Sequence, residues 1–123
     1  MKIYLAHSTH FDFKEKLYTP LRGSTLNTEH ELLFPHEIDA PPEITRDMIR
    51  ECDALVADVS APSLGVGIEM GWADAFHKPV IAISEKGSRV SFSINNVVTE
   101  RFEYDGSDDM LAKLGATLEK IHA

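Results

Sequence analysis

The stretch Asp53-Ala-Leu-Val-Ala-Asp58-Val-Ser60-Ala-Pro62-Ser63-Leu-Gly65-Val-Gly67-Ile-Glu69-Met-Gly71 decides the fold. Leu55, Val56 and Ala57 lead an apolar run of strand length, stopped by Ser60-Ala-Pro62, as a buried parallel strand is stopped. Gly65 and Gly67 release the backbone. Apolar residues then recur at Ile68, Trp72, Ala75 and Phe76, which predicts a helix over 68–77. A strand, a small-residue turn and a helix make half of a βαβ unit. In such sheets the ligand crevice lies just outside the carboxyl ends of the strands. Glu69, predicted in the first helical turn, would face that crevice.

The same alternation continues on both sides. Lys2 to Ala6 reads as the first strand, leaving through the polar run His7-Ser8-Thr9-His10. A helix carrying Phe13, Leu17 and Leu21 should follow, capped by Thr9 or Asp12 and ended or broken by Pro20. After a turn-rich Gly23 to Thr28, a second strand runs from His30 to Phe34 and stops at Pro35-His36. The rigid Ala40-Pro41-Pro42 leads into a helix over 43–51, with Ile44, Met48 and Ile49 inward. Pro79 to Ile83 is a fourth strand, Ser91 to Val98 is irregular or weakly helical, and Arg101 to Tyr104 is a fifth, edge strand. Ser107 or Asp108 could cap a last helix whose inner face is Met110, Leu111, Leu114, Leu118 and Ile121. This pattern predicts one α/β domain over 1–123, a flavodoxin-like or Rossmann-like five-stranded, mainly parallel sheet with helices on both faces. Right-handed crossovers suggest the order 2-1-3-4-5, with its switch point between the first and third strands. The loop 7–10 then faces the turn 60–69 across one crevice.

A chain of 123 residues holds one ordinary core rather than two. Twelve basic against twenty acidic side chains give a formal charge of −8, which argues against nucleic-acid polymers and anionic membranes as partners. A small anion is still compatible, because amides at a helix N-terminus hold one phosphate without bulk positive charge. The lone Cys52 rules out an intrachain disulfide framework and fits a reducing compartment. No apolar run reaches the length of a membrane span, so a soluble, cytoplasmic protein is expected.

Several residues have two readings. An acid at position 69 serves a helix dipole as readily as it serves catalysis. Glycines at 67 and 71 each cost a helix about 1 kcal/mol, which points to something approaching closely. Ser63, Gly65 and Gly67 form an ordinary loop or present hydroxyl and amide donors to an anion. The Walker A ending is missing, and the glycine-rich turn follows the third strand rather than the first, unlike the dinucleotide fingerprint. Tyr4 belongs to a strand and by default to the core, with a hydroxyl that needs a partner. His7 and His10, three apart with no cysteine cluster, do not make a metal site, and neither metal nor cofactor is expected. His36 is a solvated loop residue or a lid and binding residue. Asp58, inside a buried strand, needs partners or a task. No Gly-x-Ser-x-Gly elbow is present.

Pro62-Ser-Leu-Gly-Val-Gly-Ile-Glu-Met-Gly71, with Ala75-Phe-His-Lys78, Ser88-Arg-Val-Ser91, Ile3-Tyr-Leu5 and Pro35-His36, resembles the nucleoside 2-deoxyribosyltransferase superfamily, most of all its 2'-deoxynucleoside 5'-phosphate N-hydrolase branch. The resemblance is densest over 52–94. It implies Glu69 as a nucleophile attacking the anomeric carbon, with Tyr4 orienting it. It further implies Ser8, Ser63, Gly65 and Gly67 around the 5' end of the substrate. Transferases that use free nucleosides carry an acid at position 63, and a serine there suits a phosphate. Ser91, or Ser93 one gap away, matches a serine lent to the neighbouring subunit's phosphate site, which implies a homodimer. The family's usual acid on the base side falls on Thr45, with Asp47 two residues on. Two residues turn a helix by about 200°, so Asp47 replaces it only with a shift. The first loop offers His7 and His10 where the hydrolases have a glycine-rich, arginine-containing pattern.

The expectation is therefore a nucleotide N-glycosidase cleaving a (deoxy)nucleoside 5'-monophosphate through a glycosyl-enzyme on Glu69. Tyr4 and Asp47 complete the catalytic set. Ser8, His7, Ser63, Gly65, Gly67, Ser91 and His36 are the expected binding residues. The alternatives are base exchange by a deoxyribosyltransferase and a catalytically silent nucleotide-binding module.

Overall fold

The strands are β1 (Lys2–His7), β2 (Glu31–Leu33), β3 (Ala54–Asp58), β4 (Val80–Glu85) and β5 (Glu100–Tyr104) in a computed structural model that describes residues 1–122. All pair in parallel, in the expected order β2-β1-β3-β4-β5. The helices are α1 (Thr19–Arg22), α2 (Leu26–Glu29), α3 (Pro42–Glu51), α4 (Leu64–Ala75) and α5 (Ser107–His122).

Strand parity divides the core into two layers, since successive side chains point to opposite faces. Ile3, Leu5, Ala54, Val56, Ile81 and Ile83 pack under Leu21 of α1, Leu26 of α2 and Met110, Leu114 and Leu118 of α5. Tyr4, Ala6, Leu55, Ala57, Val80 and Ala82 pack on the other face against Ile49 of α3 and Val66, Met70 and Ala73 of α4. Tyr4 therefore faces α4. His7 and Asp58 have the opposite parity and face the other layer.

Four local expectations are corrected. First, α4 begins at Leu64 rather than Ile68, because the Ser63 Oγ accepts the Val66 N–H at 3.3 Å and starts the helix. Gly65 and Gly67 therefore lie inside it, and Glu69 sits in its second turn rather than its first. Second, Pro20 does not break the segment after β1. It occupies the first turn of α1, where no amide donor is needed, behind a π-helical turn over Lys14–Tyr18. Neither Thr9 nor Asp12 caps that segment through its side chain, and Phe13 holds the cap position. Third, Gly23 to Thr28 contains most of the short α2. Fourth, Ile44 of α3 is exposed, while Ile49 is buried and Met48 half-buried.

Candidate active site

Tyr4 and Glu69 lie 65 residues apart in sequence and meet because β1 parity and the second turn of α4 aim both at one point. The Tyr4 hydroxyl donates to Glu69 Oε2 at 2.7 Å. Burial pushes the Glu69 carboxyl above the usual carboxylate range, and the Tyr4 hydrogen bond pulls it back toward the ionised form. Burial first, and then the charge of Glu69, raise the Tyr4 hydroxyl far above its ordinary value, so it acts as a fixed donor.

Glu69 stands where two lobes of one cleft join. The larger lobe, of about 590 Å³, is lined by Tyr4, Thr45, Met48 and the loop from Pro35 to Ala40. The smaller, of about 380 Å³, is lined by His7, Thr9, Ser63, Gly65 and Trp72. Glu69, His36, Ala40 and Thr45 line both lobes. The loop after β1 and the start of α4 thus face each other across one crevice at the switch point, as the strand order requires. Among the described residues, no lysine or arginine lines either lobe.

The remaining candidates divide. Ser63 and Gly65 reach the smaller lobe, at the amino end of α4, where amide donors concentrate. Ser8 is buried, lines neither lobe, and uses its Oγ to accept the His10 N–H at 3.0 Å. Asp47 lines neither lobe and pairs with Arg50 at 2.9 Å, whereas Thr45 takes the cleft position. Gly67 and Ser91 line a separate, mostly apolar cavity of about 430 Å³ between α4 and the segment 91–97. Ser63 lines both that cavity and the smaller lobe.

His7 reaches the smaller lobe with both ring nitrogens already bonded. A carbonyl only accepts, so Nδ1–H donates to Ser8 O at 3.2 Å, and Nε2 accepts the Tyr18 hydroxyl at 2.7 Å. Burial, with a smaller push from His36, lowers its pKa to about 4, against the Ser8 hydrogen bond. The ring stacks on Phe13 at 4.2 Å between centroids. His7 is therefore a neutral ring in the wall of the smaller lobe. Asp58 finds its partners on the other layer: it accepts the Tyr104 hydroxyl and the Ser60 N–H, which braces the exit of β3.

Sequence reasoning missed Tyr18, Trp72, Met48 and the loop from Glu37 to Ala40 as site residues, and placed Thr9 only as part of the crevice-facing loop 7–10. Tyr18 carried a readable signal, since an aromatic next to the apolar Leu17 and Leu21 positions buries a hydroxyl that needs a partner. Its oxygen also accepts the His36 N–H at 3.1 Å.

These features define an α/β protein with a ligand cleft at its topological switch point, organised around one tyrosine-bonded carboxylate. The sequence profile of the nucleoside 2-deoxyribosyltransferase family matches residues 3–110, and the chain, an enzyme, belongs to that family. A Thermofilum pendens protein named "Putative 2'-deoxynucleoside 5'-phosphate N-hydrolase 1" is 35% identical, covering 96% of this chain and 95% of its own. A Syntrophotalea carbinolica protein of the same name is 36% identical over 60% of this chain and 54% of its own. Among solved structures, a CMP N-glycosidase of Clostridium botulinum superposes with a TM-score of 0.70 at 22% identity, covering 94% of this chain and 99% of that one. A 2-deoxyribosyltransferase of Bacillus psychrosaccharolyticus does so with a TM-score of 0.66 at 20% identity, covering 89% and 90%. Both share the fold.

Proposed function

We propose that the protein hydrolyses the N-glycosidic bond of a (deoxy)nucleoside 5'-monophosphate. The observation that carries this reading is the Tyr4–Glu69 hydrogen bond at the junction of the two lobes. A sugar spanning that junction presents its anomeric carbon to the free Glu69 oxygen, with base and 5' end on opposite sides. The carboxylate attacks, the base leaves, and water resolves the glycosyl-enzyme, the logic of a retaining glycosidase applied to a C–N bond. Ser63, Gly65 and the first amides of α4 receive the 5'-phosphate. The hydrolase names of the relatives support this substrate class.

The active assembly is proposed to be a homodimer. Ser91 lines the cavity on the other side of Ser63 rather than the Glu69 cleft of its own chain, so a role at a Glu69 site requires a second copy. Leu64 and Phe92, 84% and 86% exposed, are the apolar side chains available to bury between copies.

The test is release of free base from a panel of nucleoside monophosphates, read by chromatography beside a Glu69→Ala control. Release by the native chain and loss of about 10³-fold or more in the variant is expected; release equal in both overturns the reading. The cation-free lining favours one rival, base exchange on unphosphorylated deoxynucleosides. Adding a second base to the same assay reveals it as a new nucleoside.

A further inference from the structure

We propose that His36 is the catalytic residue that protonates the departing base. This rests on the N-glycosidase reading above and goes further by assigning the acid. A base expelled with the electron pair of the C–N bond leaves poorly as an anion, so a positioned acid that meets it in the transition state accelerates the step.

The lining of the larger lobe narrows the choice of donor. Tyr4 keeps its proton on Glu69. Glu37 accepts two hydrogen bonds from Arg22, at 2.8 and 2.5 Å, and this pairing holds its carboxyl below the usual range, so it has no proton to give. The Thr45 hydroxyl is not an acid and bonds Pro41 O at 3.4 Å. Asp39, exposed like His36, lines the larger lobe alone and not the junction where Glu69 stands. His36 lines both lobes with Glu69, and histidine is the side chain suited to exchanging a proton near neutrality.

Its surroundings suit the task. The backbone N–H is pinned to the Tyr18 hydroxyl, and the ring lies 4.8 Å from His7 and 5.0 Å from Phe13. Around it are neutral His7 on β1 and Tyr18; Thr45 of α3, Glu69 of α4 and Asp39 line the same lobe, and Glu37, paired with Arg22, is next in the chain. His7 stays uncharged down to about pH 4, so no imidazolium on β1 faces the His36 ring.

The step balances. A Glu69 oxygen bonds to the anomeric carbon as the C–N bond breaks. The electron pair goes to the base, and the His36 imidazolium proton moves to a base nitrogen. Water then attacks the glycosyl ester, freeing the Glu69 carboxylate and losing a proton to solvent, from which the neutral imidazole is recharged. Carboxylate and imidazolium are both restored.

The test compares the native chain with His36→Gln on an unmethylated nucleoside monophosphate it cleaves and on N7-methyl-deoxyguanosine 5'-monophosphate. The methylated base already carries a positive charge and leaves without a proton. The variant should lose about 10²- to 10⁴-fold in kcat on the unmethylated substrate and less than about 5-fold on the methylated one. Equal losses on both substrates, or no loss on the first, overturn the assignment while the N-glycosidase reading stands. No base release from either substrate by the native chain overturns both.

Discussion

Glu69 has two environments pulling on it: burial favours the protonated carboxyl and the Tyr4 hydroxyl favours the carboxylate. A nucleophile needs the second form. In Tyr4→Phe the donor is gone and burial stays, so the Glu69 pKa moves further up. Catalysis requires the ionised group, so the acid limb of the kcat–pH profile should shift to higher pH, never lower. Losing a hydrogen bond to a charged group costs about 1.5–3 kcal/mol, so kcat at the optimum should fall about 10- to 100-fold. A limb that stays in place, measured by base release across pH, would mean the tyrosine does not tune the acid. At this scale the resemblance implied that Tyr4 orients Glu69, while spacing alone was silent about their contact. Nothing in a spacing of 65 residues links them; strand parity and a helical turn do.

Helix α4 shows what a local pattern conceals. Two glycines ahead of Ile68 read as a turn, yet Ser63 nucleates the helix there and the glycines are carried inside it. The core strands were legible because their continuous apolar runs match burial on both sheet faces. Their order followed from the handedness of the crossovers. Pro20 and the π-helical turn were illegible, because a wide turn that seats a proline leaves no periodic signature. The lobe-lining Trp72 and Met48 were hidden for another reason: only tertiary packing brings them to the cleft. The expected close approach at Gly71 is not met within the chain, since a Cβ there would touch nothing within 4 Å. Gly71→Ala should therefore stabilise the isolated chain by about 0.5–1 kcal/mol, measured by urea denaturation at low protein concentration. Destabilisation that grows with protein concentration would instead place a second copy against this face.

Across the whole molecule, a site shared between two chains makes a prediction that a self-sufficient site does not. Glu69→Ala and Ser91→Ala chains, each impaired alone, should recover activity when co-refolded. One of the two sites in the mixed dimer then holds both native residues. Recovery should approach about half of the native rate per mixed dimer, one of two sites being intact. Activity no greater than the sum of the separate variants would reject the shared site.

The lining of the cleft without lysine or arginine has a consequence for how substrate arrives. A chain of formal charge −8 repels a nucleotide before any hydrogen bond forms. Raising ionic strength from 0.01 to 0.1 M shortens the reach of that repulsion from about 30 to about 10 Å. Encounter should quicken with added salt, so kcat/KM for a monophosphate should climb where most anion-binding enzymes slow down, and the uncharged nucleoside should show no such climb. The molecule would then be an anion handler that works against its own field, relying on short-range amide and hydroxyl contacts once the substrate is inside.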